Sequence, residues 1–260
     1  MASSEKTPII TVEGLSARYE DTTIFEGVSF QVFKGEILVI LGESGCGKST
    51  LLKHMFGLYR PYAGRVVIEG VDVASVRAAK LRELRRGIGI LFQSGALFGS
   101  MTLAENVALP LLEYRGLPPA IIRLIVKMKL GMVNLAGYEN HLPSELSGGM
   151  KKRAALARAI ALDPTVLFFD EPTAGLDPVT AAEIDNLIKG INAGMGTTMV
   201  IVTQELASIF NIAQRVIMLD KSEKGIIAEG EPRYLKEHST DPRVTNFFNR
   251  RAAEQKAKGI

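Results

Sequence analysis

Tryptophan is absent, cysteine occurs once, and aromatic residues make up only 7% of the 260 residues. A single thiol excludes an internal disulfide and a thiolate metal cluster, and it points to a reducing, cytosolic setting. The few aromatics are not interleaved with basic residues, so no base-stacking platform and no nucleic-acid partner is expected. The stretch MASSEKTPII carries no apolar core of signal-peptide length, and no uninterrupted apolar run is long enough to span a bilayer. Excess charge is also small, with a formal net charge of +3. Basic stretches such as RELRR and NRRAAEQKAK could meet an anionic membrane surface, but they read first as solvated helix faces. What the chain does have is apolar residues, 47% against 23% charged. That is enough to bury a substantial core, as one large domain or one domain with a lobe.

The pattern along the chain changes character twice. IITVEGLSARY and GVSFQVFKGEILVIL alternate or run apolar between glycines and polar residues, predicting a strand-rich start. GRVVIEG and GIGILF read as further strands, with a short charged helix at RAAKLRELRR. From 94 to 160 the period becomes helical in LAENVALPLLEY, PPAIIRLIVKMKLGMV and SGGMKKRAALARAIAL, predicting a mainly helical subdomain inserted into an α/β core. Met128 and Met132, one helical turn apart, are expected to pack in its core rather than to bind a ligand. TVLFFDE, TTMVIVTQ and QRVIMLD return to buried strands, and KGIIAEGEP reads as a closing hairpin strand. The expected division is therefore an α/β core at 8–93 and 161–230, a helical subdomain at 94–160, and a helical, basic C-terminal tail at 231–260.

The stretch GESGCGKST fits G-x-x-x-x-G-K-[ST] between a predicted strand and a predicted helix. Gly42, Glu43, Ser44, Gly45, Cys46, Gly47, Lys48, Ser49 and Thr50 would wrap backbone N–H groups around phosphates, with the positive end of the new helix aimed at them. Lys48 would reach the β- and γ-phosphates, and the Ser49 hydroxyl would ligate magnesium. Cys46, beside that helix start, would ionise more readily than a free thiol, or it is simply a small loop residue. Asp170 and Glu171 end a buried strand, where two carboxylates are costly without a cation or a reacting proton. Asp170 suits magnesium and its water shell, and Glu171 suits the base that polarises the attacking water. Gln93, at another strand end, could touch both the metal shell and that water without adding charge. It is expected among the metal-site and catalytic residues. Tyr19 could stack on a purine or pack at a sheet edge, and its spacing does not choose.

About a hundred residues after the first glycine loop comes LSGGM. Ser147 is a candidate N-cap, and Gly148 and Gly149 leave backbone donors uncovered at a second helix start. One γ-phosphate has little use for two such surfaces on one chain. Two chains paired head to tail would use both, each completing the other's site.

These residues resemble the ATPase subunits of ABC transporters, from Tyr19 to about Gly230. The resemblance implies a P-loop NTPase core of ABC type, with an N-terminal antiparallel β subdomain and an inserted helical subdomain. It also implies ATP and Mg²⁺ as cofactors, an adenine-stacking Tyr19, a Q-loop Gln93, a signature at LSGGM, a catalytic Glu171, and a D-loop at AGLDP with Asp177 near the dimer seam. One position departs from the family. TQEL places Gln204 where a histidine is usual, and glutamine keeps a donor and an acceptor but cannot carry positive charge. LFQSGALFGSMTLAENVALPL, PSELSGGMKKRAALARAIALDP and TDPRVTNFF further resemble the ATPases of the Mla/MCE phospholipid transport systems. That resemblance implies a second copy of the chain, an MlaE-like permease, an MCE-domain protein and in some systems a STAS-domain protein, at the cytoplasmic face of the inner membrane. The SGALFGS surface, with Leu97 and Phe98, would receive the permease. An ABC ATPase for another cargo and a soluble non-transport ABC protein are the competing readings. The spacing from Gln93 to Ser147 leaves no room for the long coiled-coil insertion expected of DNA-repair members, and these 260 residues carry one set of ATPase motifs where a translation-factor type would be expected to carry two.

Overall fold

The computed structural model describes residues 7–114 and 116–250. In chain order its elements are β1 (Pro8–Tyr19), β2 (Thr22–Phe33), β3 (Ile37–Gly42), α1 (Lys48–Met55), β4 (Ala63–Ile68), β5 (Val71–Asp72), α2 (Ala78–Arg86) and β6 (Ile88–Leu91). They continue with α3 (Leu103–Tyr114), α4 (Pro119–Met132), a 3-10 turn at Pro143–Glu145, α5 (Gly148–Ala159), β7 (Val166–Asp170) and α6 (Pro178–Met195). The chain ends with β8 (Thr198–Val202), α7 (Leu206–Ile212), β9 (Arg215–Asp220), β10 (Gly225–Gly230), α8 (Pro232–His238) and α9 (Pro242–Asn249).

Two sheets organise these elements. A four-stranded sheet runs β2-β1-β4-β5 and is antiparallel throughout. A six-stranded sheet runs β10-β9-β3-β8-β7-β6, with only the β10–β9 edge antiparallel. Its central strands are apolar on both faces because both faces are covered. Along β3, Ile37, Val39 and Leu41 join an apolar cluster with α3 to α7, while Leu38 and Ile40 join a second one with the antiparallel sheet and α1. Each such fully buried side chain contributes roughly 1.5–3 kcal/mol. The cluster under α3 to α5 is continuous with the sheet, since Leu103, Val107, Ile122, Val126 and Leu130 pack into the same core as Val39 and Phe169.

Met128 and Met132 differ from expectation. They are 54% and 36% exposed, on a stripe with Ile121 and Leu124, while α4 turns Ile122, Val126 and Leu130 inward. α4 is apolar on more than the face it buries, and the sequence pattern alone does not say which face wins. At the C-terminal end, α8 and α9 fold back on the core through Leu235, Val244 and Phe248. The basic run 251–260 lies outside the described residues. Among the described residues, no helix is long and apolar enough to cross a membrane.

Candidate functional site

Four neighbouring parallel strands, β6, β7, β8 and β3, finish within three residues of one another in register. Leu91 pairs with Phe169, Phe169 with Ile201, and Ile201 with Val39. Gln93, Glu171 and Thr203 follow within two residues of those strand ends, beside Leu41 of β3, at the carboxyl edge where parallel sheets form ligand sites. Gly42 and Gln204 lie one residue beyond. The sheet register thus gathers residues that are far apart in sequence.

The loop between β3 and α1 is shaped by its glycines. Gly42 has φ +146°, and a Cβ there would lie 2.3 Å from the Leu219 carbonyl oxygen and 2.7 Å from Cys46 Sγ. Gly47, at φ +101°, would meet Ile24 Cγ2 at 2.8 Å. α1 opens on Gly47 with no side-chain cap and no acidic residue in its first turn, so its first N–H groups stay available to an anion. Lys48 Nζ donates to the Gly42 and Glu43 carbonyls, each at 2.9 Å, folding the ammonium over the loop. Cys46 is buried, and burial pushes its thiol above the usual value against the pull of Lys48. The expected easier ionisation is therefore corrected, because desolvation outweighs the helix terminus. Glu43, Ser44 and Gly45 are exposed, and Thr50 is half-buried in α1.

Ser49 donates its hydroxyl to Asp170 Oδ1 at 2.7 Å, across 121 residues of chain. A hydroxyl and a carboxylate that close are hard oxygen donors suited to magnesium. Beside them Glu171 is only 9% exposed, and its Oε2 is buried without a hydrogen-bond partner. Burial raises the Glu171 pKa and Asp170 adds to the rise, while Lys48, the Thr203 hydroxyl and the Gln204 backbone act against it. An orphaned carboxylate oxygen in a buried position is the kind of group a reacting water or a cation would satisfy. Glu171 also has φ +49°, an uncommon left-handed conformation for a non-glycine residue. Gln93 is exposed, and so is Gln204, which meets Glu171 through its backbone. Tyr19 is exposed at the end of β1, edge-to-face on Tyr59, which in turn packs edge-to-face on His54 of α1.

The second glycine pair opens α5. Ser147 caps the helix, its Oγ accepting from the Met150 N–H at 3.3 Å. Gly149 packs against α6, where a Cβ would sit 2.4 Å from Thr180 Cγ2. Asp177 caps α6 by accepting from Val179 and Thr180 at 3.1 and 3.0 Å. Among the described residues, no hydrogen bond joins 147–149 to the phosphate loop of the same chain.

Two cations escaped sequence reasoning. Lys152 is 7% exposed and donates to the Gln93 carbonyl at 2.5 Å and the Glu171 carbonyl at 3.2 Å. Burial lowers its pKa against the pull of Glu171 and Asp170. Arg158 donates to the Ala96 and Gly95 carbonyls at 2.7 and 2.8 Å. The available signal was the helical period, which puts Lys152 on the face of Ala155 and Leu156.

Known proteins resemble this constellation over most of the chain. The ABC transporter family profile matches residues 25–174. The intermembrane phospholipid transport system ATP-binding protein MlaF of Haemophilus influenzae is 42% identical, covering 92% of this chain and 90% of that protein. The Escherichia coli K12 MlaF is 39% identical, covering 93% and 88%. The probable ribonucleotide transport ATP-binding protein mkl of Mycobacterium tuberculosis H37Rv is 43% identical, covering 96% of this chain and 70% of that protein. Among solved structures, the dimeric ATP-binding cassette MJ0796 bound to ADP and Pi superposes with a TM-score of 0.77 at 31% identity, over 85% of this chain and 98% of that one. A Clostridium perfringens cassette, cbiO1 of the cbiONQ ABC transporter complex, superposes with a TM-score of 0.81 at 31% identity, over 93% and 95%. A phosphate-shaped loop, a hydroxyl–carboxylate pair for magnesium and a buried unpartnered glutamate agree with that likeness, and the chain belongs to the ABC transporter ATP-binding family, as an ATPase that works on ATP with Mg²⁺.

Proposed function

We propose that two copies of this chain close head to tail around two ATP molecules and drive phospholipid transport between bacterial membranes. The observation that carries the site reading is the Ser49–Asp170 contact beside the unpartnered Glu171 oxygen. In this reading Lys48 and the N–H groups of residues 43–49 hold the phosphates. Ser49, Asp170 and Gln93 hold magnesium, which neutralises phosphate charge when bound. Glu171 takes the proton of the attacking water, and the raised pKa suits a base that must release it again. Gln204 orients Glu171 or the water by hydrogen bonding alone, and Tyr19 offers its exposed ring to the base of the nucleotide. Ser147, Gly148 and Gly149 complete the partner's site, consistent with donors that find no phosphate loop within their own chain and with the dimer of the similar cassette MJ0796.

The cargo reading rests on the MlaF relatives, whose length the chain nearly matches. A ribonucleotide cargo is the second reading, favoured by the printed name of mkl, of which the chain spans 70%. For the first reading the chain sits as a peripheral subunit on the cytoplasmic face of the inner membrane. It works beneath an MlaE-like permease together with an MCE-domain protein, and in some systems a STAS-domain protein. The permease would dock beside Phe98, which is 51% exposed and lines a groove of about 320 Å³ between β6 and α3 with Phe92, Leu109 and Pro110. The Phe98 backbone is pinned by Asn106 on both its N–H and its carbonyl, so the ring is held outward. Leu97 is half-buried against the core and contributes less.

Co-expression with the MlaE-like permease tests this reading. Phe98→Asp should abolish co-purification while leaving the isolated chain folded and able to bind ATP. Unchanged association would place the docking site elsewhere. In reconstituted vesicles, ATP-dependent transfer of phospholipid but not of ribonucleotide is expected, and the reverse would overturn the cargo.

A further inference from the structure

α5 touches two places that the proposed function keeps apart. Its first turn, Ser147 to Gly149, is offered to the nucleotide of the partner. Lys152 lies five residues after Ser147, about 7.5 Å along the helix, and reaches the strand ends of its own chain. An ammonium has three donors and no acceptor. Two of them go to the carbonyls of Gln93 and Glu171, one on each side of the β6–β7 pair.

The backbone at those carbonyls makes the contact more than packing. Glu171 is left-handed at φ +49°, and both of its backbone polar groups are held, the N–H by the Val202 carbonyl at 2.9 Å and the carbonyl by Lys152 at 3.2 Å and the Ala174 N–H at 3.3 Å. Ala96 is left-handed too, at φ +46°, and its carbonyl is held by Arg158 of the same helix. Strained backbone persists only where its surroundings over-determine it. Of the eight described left-handed non-glycine residues, these two have carbonyls that accept from cations of α5, which also grips the 93–96 loop at three carbonyls.

We propose that Lys152 is a positioning residue that couples the two nucleotide sites of the dimer. A shift of α5 as its first turn meets the partner's γ-phosphate is passed by Lys152 to Gln93 and Glu171 of its own chain. The contact fixes where the Glu171 carboxylate points, so it acts on turnover rather than on ATP binding. The proposal rests on the shared-site reading of residues 147–149, and the test separates the two.

Mixed dimers of full-length chains carrying different tags are purified with Glu171→Gln in one chain, leaving a single hydrolysing site. Lys152→Met is then placed in either chain. On the chain with the working Glu171 it should lower kcat by roughly tenfold or more beyond its effect on the other chain, since small misplacements near reacting atoms cost that much. KM for ATP should stay within about twofold, the sign of an interaction expressed only in the chemical step. Lys152→Arg on the working chain should recover most of the loss, because a guanidinium also donates to both carbonyls. Equal losses in both placements, or a loss confined to KM, would overturn the proposal. If the methionine chain unfolds on its own, judged by its thermal midpoint, Lys152→Gln is used with the same two placements. The shared site is tested in parallel by Gly148→Asp, which should abolish turnover when carried by the Glu171→Gln chain and only lower kcat, through the lost relay, when carried by the working chain. If it acts only on the working chain, the shared site fails, while the Lys152 placements still report whether that residue positions Glu171.

Discussion

Replacing Glu171 by glutamine should move activity and stability in opposite directions. The amide keeps the shape of the side chain and gives up the base. Loss of a positioned general base costs roughly 10²–10⁴ in rate, or about 3–5 kcal/mol of barrier. Phosphate release by the assembled complex should fall by that factor, and ATP-bound dimer should accumulate. Stability runs the other way because of where the carboxylate sits. It is buried, its Oε2 has no partner, and its pKa is raised first by burial and then by Asp170. A folded-state pKa above the unfolded one means that the stabilised form is the protonated one. Its contribution is complete below the unfolded value and is lost as pH rises through the folded value. Above the ordinary carboxyl value the unliganded protein therefore carries the cost of burying a carboxylate or of keeping it protonated, which a neutral amide removes. Without nucleotide, Glu171→Gln should melt above the parent, with a difference that grows as pH rises from the unfolded to the folded carboxyl value and is constant beyond it. Thermal melts across that range, paired with phosphate release, provide the assay. Near-parent turnover would refute the role of base, and a lower melting point at neutral pH would refute the burial reasoning.

Asp185 offers a second case of the same sign, buried with Oδ1 unpartnered and its pKa raised by burial against Ser208, Asn211 and Lys189. Asp185→Asn should raise the unfolding midpoint at neutral pH and lose that advantage in acid, as pH-dependent melts would show. On α4, Leu130→Ala should cost roughly 2–5 kcal/mol in urea unfolding, whereas Met128→Ala should stay within about 0.5 kcal/mol, because one side chain is buried and the other exposed. Gln204→Ala should slow phosphate release in the assembled complex, and Gln204→His should add a pH-dependent component below neutrality, near the usual histidine pKa of about 6.5. Parent-like turnover in the alanine variant would reduce Gln204 to a spacer.

The sequence was most readable where chemistry restricts residue choice. A loop that must turn N–H groups inward cannot carry a Cβ at Gly42 or Gly47, so its glycines announce themselves between an apolar strand and a helix. β3 and β7 are legible for a related reason: being covered on both faces leaves no polar position in Ile37–Leu41 or Val166–Phe169. What was hidden depends on contacts between distant segments. Lys152 reads as one more basic residue in MKKRAALARA, and only folding brings it to carbonyls 59 and 19 residues away. Met128 and Met132 mislead because helical period reports apolar residues, not which stripe faces the sheet. Cys46 misleads because a helix terminus is visible in sequence while burial is not. The same blindness covers the strain at Glu171 and Ala96, since nothing in the letters marks a left-handed glutamate or alanine. Glu171 directly follows β7 and Ala96 lies in the loop after β6, and both have their carbonyls gripped by α5. The residues proposed to bind phosphate could therefore be found from the motif, whereas those that hold the backbone of Gln93 and Glu171 in place could not. They belong to a helix whose recognisable feature, the Ser147–Gly149 start, points the other way.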